Sequence, residues 1–248
     1  MFADISVVIL VKNAAHIIGE CLEALVDFDD VIVYDNGSTD GTQAICAAYI
    51  NVRLIEGEFL GFGPTKNIAS SFAKNDWIFS LDSDEVLSEE LIKTLKSITL
   101  VAEHIYGVER RNFYKNKEVK YAWNNDVVLR LYHQQNTQFN HNLVHESLIT
   151  DNLKIEILEG QINHHSYHSI SDFIHKTDRY STLFAEQNKG KLNSTPLKAV
   201  LHACFAMFKT YVLKKGFLDG YIGLIIAYSL ASEKFYKYMK LYEINKDG

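Results

Sequence analysis

Hydrophobic positions in the first third of the chain fall into short, predominantly apolar runs at 5–11, 31–34, 52–55 and 77–81. Between them lie segments of helical spacing near 14–26, 40–50, 65–74 and 88–98. A strand that is apolar along its length, rather than alternately, must be covered on both faces. Runs of this kind separated by helices predict a parallel sheet between helical layers. Such sheets bind ligands beyond the carboxyl ends of their strands. Three of the four runs end there in polar clusters: Lys12 with Asn13, Asp35 with Asn36, and Asp82, Ser83 and Asp84.

From about 105 to 165 the pattern shortens and becomes rich in aromatics, with strand-like pieces at 106–109, 127–132 and 153–158. These are expected to complete the sheet and to build the side that meets a second substrate. From 169 onward the chain reads as helix, and Ser169-Ile-Ser-Asp172 is a start signal. The expected division is an α/β domain over 1–168 and a helical extension over 169–248. No internal repeat or low-complexity segment interrupts it. The most apolar stretch, 222–231, is far shorter than the roughly 18 to 20 residues a bilayer span requires. The run at 5–11 is short, follows an acid and has no basic leader, so it reads as a core strand and not as a secretory signal.

With 248 residues, 47% hydrophobic and 23% charged, the chain has material for one substantial core. Cys21, Cys46 and Cys204 lie far apart without paired spacing, and are expected to be buried free thiols in a reducing compartment. A net charge of −6 argues against general nucleic-acid binding, yet 197–241 carries seven lysines against Asp219 and Glu233. That asymmetry points to an acidic partner such as an anionic membrane surface. Phe235, Met239 and Tyr242 share a helical spacing with Lys234, Lys237 and Lys240 on another side, as an interfacial helix would. A helix packed on its neighbours with a solvated basic face would show the same pattern.

Asp82 and Asp84 stand two residues apart just after an apolar strand, where period-two geometry aims both toward one face. A hard divalent cation can be held there by oxygen ligands and shared with phosphate oxygens. Asp35, at another strand end, suits a uracil N–H or a ribose hydroxyl, or the shaping of its own turn. Asp40 reads as a helix cap. A dinucleotide site would need a glycine-rich first turn, but Val11-Lys-Asn-Ala-Ala-His16 has no glycine, and Gly61-Phe-Gly63 lacks the third one. Trp123 suits stacking on a sugar face or ordinary packing. Arg110, Arg111 and Arg130 suit phosphate clamping or surface pairing.

Val7-Val-Ile-Leu-Val-Lys-Asn13, Asp35-Asn-Gly-Ser-Thr-Asp-Gly41, Lys66-Asn67 ahead of a helix and Leu81-Asp-Ser-Asp-Glu85 together resemble the GT-A glycosyltransferases of family 2. In the second half, Val144-His-Glu146, Asn163-His-His165, Lys176-x-x-x-Tyr180 and Lys215-Gly-Phe-Leu-Asp-Gly-Tyr-Ile-Gly-Leu224 resemble bacterial lipopolysaccharide and lipooligosaccharide core β-1,4-glucosyltransferases. The resemblance implies a GT-A fold, a Rossmann-like and mostly parallel sheet flanked by helices, with a helical carboxyl-terminal extension. It implies inverting transfer of a hexose, glucose foremost, from a UDP-sugar to a lipid-linked oligosaccharide core, with Mg²⁺ or Mn²⁺. The expected location is cytoplasmic, peripheral on the inner face of the bacterial inner membrane.

Carried over by position, the resemblance gives Lys12, Asn13, Asp35 and Lys66 to the nucleotide and its phosphates. Asp82 and Asp84 would be the metal and ribose-diphosphate pair, with Asp84 the direct metal ligand ahead of Asp82, which would serve ribose and the metal's water shell, and His164 would be a further metal ligand. Asn36 stands where many members have a second Asp, and Ser83 where Ala is frequent. The reaction needs a residue to take the acceptor proton. Glu146, following an apolar residue in the middle segment, is the first candidate for this base and Asp126 the second. Another polysaccharide or protein acceptor, or a scaffold that binds carbohydrate or lipid without turnover, are the competing readings.

Overall fold

The computed structural model describes residues 4–123, 125–141 and 146–247. Asn124 and the Val144-His145 part of the motif before Glu146 lie outside the described residues. The chain divides into two compact units, one of Met1–Arg111 with Asp126–His164, the other of Asn112–Asn125 with His165–Gly248.

In the first unit, β1 (Ile5–Val11), β2 (Val31–Asp35), β3 (Val52–Glu56) and β4 (Trp77–Asp82) form the expected parallel sheet. Successive side chains of a strand point to opposite faces. Val7, Ile9, Phe79 and Leu81 accordingly meet Ile18 and Leu22 of α1 (Ile18–Glu23) on one face. Val8, Ile32 and Ile78 meet Ala69 of α3 (Phe62–Ser70) and Tyr132 on the other. Two buried faces are the reason these runs do not alternate.

Beyond β4 the sheet turns antiparallel. β5 (Glu85–Leu87), β6 (His104–Tyr114), β7 (Lys117–Glu118), β8 (Asp126–His133) and β9 (Lys154–Tyr167) complete a sheet of order β3-β2-β1-β4-β8-β6-β9-β5, with β7 paired to β6. The expected Rossmann-like sheet is therefore found as a mixed one, parallel through β3, β2, β1 and β4 and antiparallel where β8 joins β4. Gly160 lets β9 run against α4 (Glu89–Ser97): its φ is +94°, and a Cβ there would lie 2.3 Å from the Leu91 nitrogen.

The second unit contains α5 (Ile170–Asn188), α6 (Pro196–Phe208) and α7 (Tyr221–Asp247). A π-helical turn at Lys209–Leu213 and a 3₁₀ turn at Gly216–Asp219 join the last two. The expected start signal is a capping box: Ser169 Oγ accepts from the Asp172 N–H, and the Asp172 carboxylate accepts from the Ser169 N–H. Asp219 is buried, and its carboxylate accepts from the backbone N–H groups of Lys120, Tyr121 and Ala122. Trp123 stacks on Phe173, which stacks on Tyr167.

Two of the three lysines expected on an interfacial face of α7 are engaged within the unit. Lys240 Nζ donates to Asp178 Oδ1 (2.7 Å) and Thr182 Oγ1 (2.7 Å) on α5, and Lys237 pairs with Glu233. Cys21 and Cys46 are buried as expected, but Cys204 is exposed, because it sits on the outward side of α6. Among the described residues no helix is long and apolar enough to cross a membrane.

Candidate functional site

The register of the parallel strands sets Val11 beside Asp35 and Leu10 beside Asp82, so the polar clusters after β1, β2 and β4 open from adjacent strand ends. The first two are stapled together. Asn13 adopts a left-handed backbone (φ 54°), its side-chain oxygen accepts from the Thr39 N–H (2.8 Å), and its own N–H donates to Ser38 Oγ (2.8 Å). Asp40 accepts from the N–H groups of Ala15 (3.0 Å) and Thr42 (3.1 Å), the latter opening α2 (Thr42–Cys46). It therefore caps that helix from one position before the N-cap, Gly41.

Asp35 is fully buried, and its carboxylate accepts from the Ser38 N–H (3.1 Å), the Ser38 hydroxyl and the Gln43 amide (2.6 Å). Its oxygens thus organise the turn after β2. Lys12 is exposed at the tip of β1.

Around β4 the charged side chains alternate in sign along one continuous run. Lys66, only 3% exposed, donates from Nζ to Glu146 Oε1 (2.9 Å) and Asp82 Oδ1 (3.1 Å), and lies over the Phe139 ring (5.2 Å). Asp82 Oδ2 receives Arg130 (2.8 Å), which also donates to Glu85 Oε1 (2.5 Å). Arg110 approaches the same Glu85 oxygen (3.5 Å) and makes a two-point bond to Asp126, at 3.1 and 2.7 Å. Glu85 Oε2 accepts from the Asp82 N–H (3.1 Å). The two candidate bases, Glu146 and Asp126, are therefore the two ends of a seven-member chain of charges.

Burial opposes ionisation of Asp82, but the charges and hydrogen bonds of Arg130 and Lys66 outweigh it and hold the carboxyl well below its ordinary range. Burial pushes the Glu85 carboxyl up, Arg130 opposes that push, and the Asp82 charge adds to it. Glu146 owes its place to the segment around it. Asn67 makes reciprocal bonds with the backbone of Phe139, both 2.9 Å, and Phe139 bridges Leu148. Lys66 and Asn67 are neighbours on α3, so one helix turn anchors this segment and contacts its carboxylate.

Asp84 lies elsewhere on the same loop. The β5–β9 pairing sets Glu85 opposite His164, and His164 Nε2 comes within 3.4 Å of Asp84 Oδ2. The carboxylate oxygen is a donor of the kind Mg²⁺ and Mn²⁺ take, and the imidazole nitrogen beside it is a donor that a transition-metal ion accepts more readily than Mg²⁺. Asp82 is turned to Lys66 and Arg130, and among the described residues no three His, Cys, Asp or Glu side chains converge as a metal cluster. Asp84 and His164 are thus the two side chains here that could share an ion, and they supply only two donors.

Glu85 went unread as a site residue although it closes the motif Leu81-Asp-Ser-Asp-Glu85. Arg130 carried a clearer signal, a charge inside the apolar run 127–132, since a buried arginine requires carboxylate partners.

The sequence profile described as "Glycosyl transferase family 2" matches residues 6–150. An "Uncharacterized glycosyltransferase" of Rickettsia typhi is 28% identical over 97% of this chain and 87% of its own length. The "Lipopolysaccharide core biosynthesis glycosyltransferase LpsC" of Rhizobium meliloti is 26% identical over 92% of this chain and 91% of its own. Among solved structures, S. aureus TarS 1-349 in complex with UDP covers 99% of this chain and 92% of that one, at 14% identity and a TM-score of 0.47.

Proposed function

The chain belongs to glycosyl transferase family 2, and we propose that it transfers a hexose, glucose foremost, from a UDP-sugar to a core sugar of a lipid-linked lipopolysaccharide or lipooligosaccharide. The proposed setting is the cytoplasmic face of a bacterial inner membrane. One observation carries this reading: the alternating run Glu146, Lys66, Asp82, Arg130 beside the parallel strand ends. It offers a cation for a diphosphate and a carboxylate for a hydroxyl proton within one connected set. The acceptor class draws on the Rhizobium relative, whose name assigns that protein to lipopolysaccharide core biosynthesis.

In the proposed reaction the acceptor hydroxyl oxygen bonds to the anomeric carbon from one face while the bond to the diphosphate oxygen breaks on the other, so the configuration inverts. The bonding pair leaves with the nucleoside diphosphate, and the hydroxyl proton passes to a Glu146 oxygen. Lys66, as a point charge, shifts toward the diphosphate and frees Glu146 for that proton. Asp84 and His164 would hold Mg²⁺ or Mn²⁺, which when bound would supply positive charge to the leaving group as a Lewis acid. Asp82, whose oxygens are held by Lys66 and Arg130, would serve ribose and the metal's water shell once Lys66 turns to the diphosphate. Lys12 and Asn13 border the nucleotide on the β1 side, and Asp35 shapes the turn that receives it.

Asp126 is the weaker candidate for the base, since Arg110 already engages both of its oxygens. The test is UDP release by the purified chain with UDP-glucose, Mn²⁺ and a truncated core lipid. Turnover that Asp84→Ala abolishes in a folded protein supports the reading, and absence of turnover with any donor and acceptor returns it to a binding scaffold.

A further inference from the structure

In the second unit, α6 turns its apolar side outward. Leu197, Val200, Leu201, Phe205 and Phe208 recur at intervals of three and four and lie on one stripe, with Leu201 and Phe205 each 59% exposed. The apolar exposure continues past the helix through Leu213, Leu218 and Tyr221. Soluble monomers rarely leave more than a few hundred Å² of contiguous apolar surface uncovered. What covers this one is indicated by the charge around it.

The segment 196–224 carries Lys198, Lys209, Lys214 and Lys215, and its single acid is Asp219. That acid is buried and spent on three backbone N–H groups, so it does not neutralise the surface. A chain of net charge −6 therefore presents a locally basic apolar face. Two copies joined symmetrically through it would set lysines against lysines, which disfavours self-association. Anionic lipid headgroups complement the lysines, and the acyl boundary receives the aliphatic and aromatic side chains.

We propose that the α6 stripe with the turns that follow it is a membrane-docking face, which inserts shallowly into an anionic bilayer while Lys209, Lys214 and Lys215 meet its headgroups. This face replaces the expected one on α7, where Lys237 and Lys240 are already engaged. The inference deepens the lipid-acceptor reading and rests on it for its purpose, but docking is measured without any sugar transfer.

The experiment is co-sedimentation of the full chain with vesicles of phosphatidylethanolamine and phosphatidylglycerol, against vesicles of phosphatidylcholine alone. The chain should bind the anionic vesicles, and binding should weaken as salt is raised. Lys214→Glu with Lys215→Glu should lower affinity by about fivefold or more per lysine. Leu201→Glu with Phe205→Glu, at positions exposed enough to leave folding intact, should lower it at least as much. The native thiol of Cys204 gives a second readout: anionic vesicles should slow its labelling by a membrane-impermeant maleimide. Equal sedimentation with both vesicle types, or none with either, overturns the proposal. So does a dimer in solution that Leu201→Glu with Phe205→Glu splits, since the stripe would then belong to a second copy. Vesicle binding by a chain that transfers no sugar supports the docking face while overturning the functional reading.

Discussion

Lys66 holds a position that a lysine occupies only when its charge is met, and two carboxylates and an aromatic ring meet it. If Glu146 takes the acceptor proton, Glu146→Gln should lower kcat by about 100-fold or more with little change in KM for the donor. Asp126→Asn should cost less than about tenfold by the same steady-state assay, because its partner is Arg110 and not Lys66. A comparable loss in both variants would contradict the assignment. Asp82 yields a prediction about pH. Its folded carboxyl is held low by Arg130 and Lys66 against the effect of burial, so the stability it contributes is present above the unfolded value of about 3.9 and lost as pH falls through the folded one. The stability gap between wild type and Asp82→Asn in urea should therefore be widest near neutrality and narrow in acid. A gap that stays constant to pH 3, within error, would count against the ion pairs. At this scale Asp82, Asp84 and Glu146 could be picked out as candidates because their spacing and neighbours single them out. Glu85 was not, since its burial follows from a strand that its sequence does not announce.

Elements β1 to β4 were legible because burial on two faces writes itself into an apolar run, and the start of α5 because a capping box is local. The antiparallel half was less so. β5 spans three residues, and its pairing of Val86 with Asn163 joins positions far apart in the chain. No local pattern encodes such a register. Two substitutions probe these elements by thermal or urea unfolding. Ser169→Ala removes the cap of α5 and should cost about 1 kcal/mol. Gly160→Ala places a methyl against the backbone of α4 at a φ that alanine resists, and should cost about 2 kcal/mol or more. A neutral effect at Gly160 would mean that β9 and α4 separate readily, against the close approach described.

For the molecule as a whole, family membership establishes glycosyl transfer, while donor, metal and acceptor are carried by the proposal. The composition bears only on the partner side of that proposal, since the basic segment 197–241 in an otherwise acidic chain suits an acidic surface. What composition could not locate was the exposed stripe on α6, because an apolar helix face reads the same whether it is buried or bare. The donor is where the central claim is most exposed. The decisive measurement is the rate of UDP release by the purified wild-type chain with Mn²⁺ and truncated core lipid, across UDP-glucose, UDP-galactose and UDP-N-acetylglucosamine, with Asp84→Ala in parallel. The account predicts that UDP-glucose turns over fastest and that the variant is inactive yet folded. Release no faster from UDP-glucose than from the other donors, or undiminished in Asp84→Ala, would contradict it.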